Sequence, residues 1–259
     1  MKVATYNIGS CIKLGTDNHE AVRADIISFI EDNDIDICLL QEVDKDCART
    51  YTNGQAVDQA KEIADALGYH YTYVAALENY YSFAYGKMTS YGIAIVSRYE
   101  ITSTGYEYLN FNGQEERRAI LKAMVDVNGT ETAVICTHFD HVDDTTVRTE
   151  SVKKVKSMVE SLSASTPVIF GGDLNQAYAG DDTVVVKEVG EFLNSVTKAR
   201  YDAKTTMGGS TWYQLDYIFI NALVECGRAK VYTPTSTTLE GELSDHRPLI
   251  VNLYMNINK

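Results

Sequence analysis

Short apolar runs of strand type alternate along this chain with stretches in which apolar residues recur at helical spacing. Strand patterns fall at Lys2–Asn7, Asp36–Gln41, Tyr69–Ala75, Gly92–Ser97, Ile101–Tyr108, Arg118–Val127, Thr132–Thr137, Pro167–Gly171, Leu215–Ile220, Glu225–Tyr232 and Pro248–Met255. The helical period predicts helices over Glu20–Asn33, Val57–Leu67, Thr145–Leu162 and Thr183–Leu193. Gly68 follows the second and suits a left-handed C-cap. Between Arg98 and Thr137 strands follow one another without a helix, which breaks a strict βαβ rhythm. The pattern therefore predicts an α/β protein with two mixed β-sheets packed face to face and helices outside. No repeat or linker interrupts it, so one domain over 1–259 is expected.

Composition narrows the functional classes. The 259 residues are 45% hydrophobic and 23% charged, which is globular and not disordered. Lys+Arg number 23 against 36 Asp+Glu, giving a net charge of −13. So acidic a chain is not built to grip a long polyanion by side-chain charge. If it acts on a phosphate ester, a bound cation must offset the repulsion. The five cysteines, Cys11, Cys38, Cys47, Cys136 and Cys226, are odd in number and lack metal-ligand spacing. Cys38 and Cys136 sit in apolar runs, as buried thiols do. A reducing compartment, the cytoplasm, is expected. The opening MKVATYNIG reads as a strand and not as a signal peptide, and no apolar run is long enough to span a membrane. A monomer is expected.

The informative polar residues fall at strand ends. The first strand ends in Asn7, the second in Gln41-Glu42, the Thr132–Thr137 strand in His138, and PVIFGGDLN in Asp173 and Asn175. Two later strands invert the order: Asp216 lies near the start of YQLDYIFI, and Asp245-His246 precede the last strand. If those two strands oppose the earlier four, all of these groups meet at one sheet edge. Carboxylates so gathered need a counter-charge, and oxygen ligands beside amides suit a hard cation, Mg²⁺ or Mn²⁺, better than zinc. A hard cation with an imidazole is equipment for hydrolysing a phosphate ester. Singly, each residue has a plainer explanation: a solvated strand end, a turn residue or a structural histidine. The ordered set carries the argument.

TYNIG, LLQEVD, YGIAIVSR, RRAILKAMV, CTHFDH, GGDLN, LDYIF and SDHRPLIV stand in the order found in the endonuclease/exonuclease/phosphatase superfamily. The sequence resembles that family from Tyr6 to Val251. The resemblance implies a deoxyribonuclease I-like four-layer α/β sandwich and Mg²⁺-dependent hydrolysis of phosphate esters. It implies Glu42 as a metal ligand, with Asn7 supporting the metal and Asp245 as a further acid near it. Asp173 would orient or deprotonate water, and Asn175 and His138 would hold phosphate oxygens. His246 would act as general base or phosphate ligand, oriented by Asp216, which expects their strands side by side. Arg118 is a candidate phosphate contact, with Arg117 as its rival.

Substrate is less legible. Tyr69, Tyr71, Tyr73, Tyr80, Tyr81, Phe83, Tyr85 and Tyr91 crowd one stretch, of which Ala76–Thr89 reads as a loop suited to stacking on bases or sugars. No long hydrophobic β-hairpin is evident, and Lys153, Lys154 and Lys156 read as a solvated helix face. Three readings result. The first is a phosphodiesterase or phosphatase acting on a small or single-stranded phosphate ester. The second is a general endo- or exonuclease on DNA or RNA. The third is a catalytically silent binding module, disfavoured because Glu42, Asp173, Asp216 and His246 are all present.

Overall fold

Strict alternation along the central strands sends successive apolar side chains to opposite faces, and both faces are buried. The computed structural model describes residues 1–12, 19–47, 50, 57–82, 87–109, 116–142, 144–180, 183–196, 204–208, 211–235 and 241–256. The elements run β1 (Lys2–Asn7), α1 (His19–Asp32), β2 (Ile37–Lys45), α2 (Gln59–Leu67), β3 (His70–Ser82), β4 (Lys87–Ser97), β5 (Ile101–Leu109), β6 (Arg118–Val127) and β7 (Thr130–His138). They continue with α3 (Thr145–Glu160), β8 (Val168–Asp173), α4 (Val184–Val189), β9 (Asn194–Ser195), β10 (Thr206–Gly208), β11 (Thr211–Tyr213), β12 (Asp216–Ile220), β13 (Val224–Val231) and β14 (Leu249–Met255).

Two six-stranded sheets result, in the orders β13-β14-β1-β2-β4-β3 and β5-β6-β7-β8-β12-β9. Each has one parallel pair at its centre, β1–β2 in the first and β7–β8 in the second, with antiparallel neighbours on both sides. Val3, Ile37, Leu39, Ile93 and Ile95 of the first sheet face Leu121, Ala123, Val134, Ile169 and Ile218 of the second. On the outer face of the first sheet, Ala4, Leu40 and Val96 pack under Val22, Ile26 and Ile30 of α1 and Ala60 and Ile63 of α2. On the outer face of the second, Ile135, Phe170 and Phe219 meet Val152, Val155 and Met158 of α3 and Val185 and Val189 of α4. These are the four layers of the sandwich. Each large aliphatic or aromatic side chain so buried contributes about 1.5–3 kcal/mol.

Helix ends follow local chemistry. The Asp58 carboxylate accepts the Lys61 N–H and starts α2, and Gly68 closes it at φ +67°. Asp144 caps α3 through the Thr146 N–H. Lys154 does not face solvent alone: its Nζ donates to the Tyr108 carbonyl 2.8 Å away.

The stretch Ala76–Thr89 departs from the loop expectation. β3 continues to Ser82 and β4 begins at Lys87, pairing Leu77 with Tyr91, Tyr80 with Thr89 and Ser82 with Lys87. Tyrosines favour paired backbone, and bulges between Ala75 and Tyr80 absorb the register error that breaks the alternation. The β3–β4 pairing thus runs beyond the expected strand limits at Ala75 and Gly92. Phe83 and Tyr85 lie outside the described residues. Tyr69, Tyr71 and Tyr73 pack as partly buried side chains near α2. Among the described residues, no helix is long and apolar enough to cross a membrane.

Candidate active site

The parallel pairs β1–β2 and β7–β8 end at one rim, and their antiparallel neighbours β14 and β12 begin there. Asn7 closes β1, His138 closes β7, Asp173 closes β8, and Asp216 opens β12. Asp173 lies opposite both His138 and Asp216 in register. Glu42 reaches the rim by another device. Between Leu40 and Val43 the β2–β4 register shifts, and Glu42 takes φ +55°. A non-glycine residue held there marks a bulge that re-aims a side chain.

The GGD sequence has its own reason. Gly172 has φ +150°, and a Cβ on it would lie 1.9 Å from the Thr137 carbonyl oxygen. Only glycine lets β8 approach β7 that closely, and the approach fixes Asp173 beside His138.

Asp173 Oδ2 is the meeting point. Asn7 Nδ2 donates to it at 3.1 Å and to Glu42 Oε1 at 3.0 Å. His138 Nε2 stands 3.5 Å and His246 Nε2 3.6 Å from the same oxygen. The other carboxylate oxygen accepts the Asn175 N–H at 2.9 Å. Asn175 sits at φ +48° and turns its Nδ2 to the Phe139 carbonyl at 2.9 Å. The Arg148 guanidinium donates to the Asn175 carbonyl oxygen at 3.0 Å. His246 Nδ1 donates to Asp216 Oδ2 at 2.8 Å, and both residues are buried.

The two histidines are set in opposite ways. Arg118 Nη1 lies 3.0 Å from His138 Nδ1, and a guanidinium can only donate. The same atom lies 3.4 Å from Nε2, so the guanidinium sits against the ring, while Nε2 faces Asp173. Burial, with the Arg118 charge, holds the His138 pKa well below the usual imidazole range. Burial also opposes a charge on His246, but the Asp216 and Asp173 carboxylates outweigh it and push its pKa up to about 10. Burial, reinforced by the Asp216 charge, raises Asp173 to about 7 against the pull of His246, Asn175 and Asn7.

Arg118 lies at the rim beside both His138 and His141. It is buried, with Nη1 3.0 Å from Glu116 Oε1 and Nη2 3.3 Å from His141 Nδ1. Its rival Arg117 turns aside, donating through Nε to the Ala76 carbonyl and covering the Tyr108 ring at 3.8 Å. The expectation that the strands of Asp216 and His246 lie side by side is wrong. β12 belongs to the second sheet and β14 to the first, so the pair forms across the sandwich. Single-sequence patterning gives strand direction but not sheet membership.

The donor atoms of Asp173, Asp216 and His246 lie within 4.8 Å of one another, close enough to suggest a cation among them. The 2.8 Å Nδ1–Oδ2 contact instead shares a proton, because that nitrogen donates to the carboxylate. Two further carboxylates border the rim near Asn7 and Ser244. Glu42 is there, and the exposed Asp245 has Oδ1 3.3 Å from Ser244 Oγ. Ser244, not singled out in the sequence, donates to the Asn7 carbonyl at 2.8 Å and accepts the His246 N–H at 3.1 Å. It ties the end of β1 to the backbone of His246, and its signal was the serine opening SDH.

Known proteins share this architecture. An endonuclease/exonuclease/phosphatase from Beutenbergia cavernae superposes with a TM-score of 0.75 at 20% identity, covering 98% of this chain and 71% of that one. The mannosyl-6-phosphatase of Bacteroides thetaiotaomicron gives 0.72 at 19% identity, covering 98% and 100%. D. rerio TDP2 complexed with single strand DNA product gives 0.71 at 15% identity, covering 98% and 99%. No curated protein matches the sequence. The sequence matches the Endonuclease/Exonuclease/phosphatase family over residues 4–246, and the chain belongs to that family of phosphoester hydrolases.

Proposed function

We propose that the chain, acting as one domain over 1–259, is a divalent-metal-dependent phosphodiesterase or phosphatase that attacks phosphate esters with an activated water. The observation that carries this reading is the convergence of Asn7, His138 and His246 on one oxygen of Asp173. A purely structural aspartate would not be buried among two imidazoles and a second carboxylate at a shared strand rim.

Glu42 and Asp245 offer oxygen donors without thiolate, which fits Mg²⁺ or Mn²⁺, and Asn7 supports the site by donating to Glu42. Bound there, the cation would supply Lewis-acid stabilisation of charge on the phosphate oxygens. Asp173 takes the proton from the attacking water, since it is the carboxylate that imidazoles and amides surround. His246, flanked by two carboxylates, keeps its proton and donates a hydrogen bond from Nε2 to a phosphate oxygen. Asp216 holds that ring in the right tautomer. His138, held neutral by burial and the Arg118 charge against its ring, faces another phosphate oxygen through Nε2. Asn175 shapes the loop that keeps Asp173 in place and lines the phosphate position.

The net charge of −13 favours a small or single-stranded ester over a long duplex. The neighbouring structures, a mannosyl-6-phosphatase and TDP2 complexed with single strand DNA product, lie within that range. A panel with Mg²⁺ tests the reading: bis-p-nitrophenyl phosphate, sugar phosphates, single-stranded DNA and RNA, and plasmid. Turnover of at least one ester is expected, and Asp173→Asn should lower it by about 10²–10⁴-fold without loss of fold. Full activity in that variant, or none on any ester in the wild type, would remove the proposal.

A further inference from the structure

We infer that Thr205, seconded by Thr206, is the positioning residue that joins Asp216 to His246 across the two sheets. The histidine comes from the segment entering the first sheet, and the aspartate opens a strand of the second. No sheet hydrogen bond spans that gap. Residues 204–208 do, and both threonines are buried.

The side-chain hydroxyl of Thr205 accepts two backbone N–H groups, from Leu215 and from Asp216, each at 3.1 Å. Its carbonyl accepts the Arg247 N–H at 2.5 Å, and its own N–H donates to the Tyr213 carbonyl at 2.7 Å. Thr206 pairs with His246 as a β-bridge, and its hydroxyl donates to the Asp245 carbonyl at 3.2 Å. One dipeptide thus holds the start of β12 on one side and the residues flanking His246 on the other.

Asp216 needs such a partner. It is the first residue of β12, and β9 pairs only with Phe219 and Ile220 on that side of the strand. The Asp216 N–H would be an orphan there without the hydroxyl. Of its carboxylate oxygens, Oδ2 bonds His246 and Oδ1 is buried without a hydrogen-bond partner. The carboxylate is therefore aimed by its backbone, and Thr205 sets that backbone. A valine fits the same volume but strands the buried Asp216 N–H and the half-buried Leu215 N–H, whereas a serine keeps the acceptor.

The inference rests on the hydrolase reading only for its activity readout, so a second readout is independent of turnover. In Thr205→Val, kcat on bis-p-nitrophenyl phosphate should fall by about 10²-fold with KM little changed, the scale of a misplaced catalytic group. Thr205→Ser should recover most of it. By proton NMR, the downfield His246 Nδ1–H signal of the aspartate–histidine bond should persist in wild type and Thr205→Ser and vanish or move upfield in Thr205→Val. If the valine variant fails to fold, hydrogen exchange on wild type and Thr205→Ser decides. Slow exchange of the Asp216 N–H in both supports the clamp, and rapid exchange in wild type overturns it. An unchanged downfield proton in folded Thr205→Val would also overturn it, even if the protein hydrolysed nothing.

Discussion

At the scale of residues, the site is a set of side chains whose roles are decided by their neighbours. His138 and His246 are the same residue type at nearly the same distance from Asp173 Oδ2, yet a cation backs one and an anion the other. The chemistry of each imidazole therefore belongs to a pair, and pairs have a measurable signature. His246→Ala and Asp216→Asn should each cost most of the turnover, but the double variant should lose little more than His246→Ala alone, because residues that act as one unit are non-additive. Steady-state kinetics on the three variants checks this. Losses that multiply in full would show that the 2.8 Å contact has no catalytic role. Arg118 tests a different link. Its interaction with His138 is buried, so a change there acts through the ring and not through a free phosphate-binding arm.

At the scale of elements, close backbone approach matters as much as side-chain chemistry. Gly172 allows β8 to lie against Thr137 of β7, and the approach sets Asp173 one residue later. Gly172→Ala should destabilise the fold by about 1–3 kcal/mol through overpacking, with added backbone strain, and displace Asp173. Chemical denaturation measures the first, kcat the second; a variant with wild-type stability would mean the strands can part at no cost. This is also where the sequence was most legible. GGDLN announced an acid at a strand end, though not the close approach of its glycine, and the strand boundaries around it differ from those observed by only a few residues. Period-2 patterning put Asn7, His138 and Asp173 at strand ends and Asp216 at a strand start because order along a strand is local, but their meeting at one rim depended on how the strands run. Sheet membership is not local, so β12 and β14 were expected side by side when they lie in different sheets. Thr205 was missed because a hydroxyl that only satisfies backbone groups has no sequence pattern of its own, and Ser244 because the acid and histidine that follow it drew the reading. The extension of the β3–β4 pairing was missed because its bulges interrupt the alternation that marks a strand.

At the scale of the whole molecule, charge is the problem the site must solve. A chain with net charge −13 collects Glu42, Asp173 and Asp216 at one rim, with Asp245 beside them. Any divalent cation would relieve such a molecule somewhat by screening, so stabilisation by Mg²⁺ alone proves nothing about a site. The distinction lies in Glu42. If the ion is held by that carboxylate, Mg²⁺ at about 100 times its Kd should add about 2.7 kcal/mol of stability. For a chain of this size that is a rise of several degrees in Tm. Glu42→Gln keeps the shape and an amide oxygen but removes the charge, so the Mg²⁺-dependent part of the rise should shrink sharply. Scanning calorimetry with and without Mg²⁺, at matched ionic strength, separates the two effects, because KCl reproduces the screening and not the coordination. Equal rises in wild type and Glu42→Gln would assign the stabilisation to the diffuse negative field and take the metal away from Glu42.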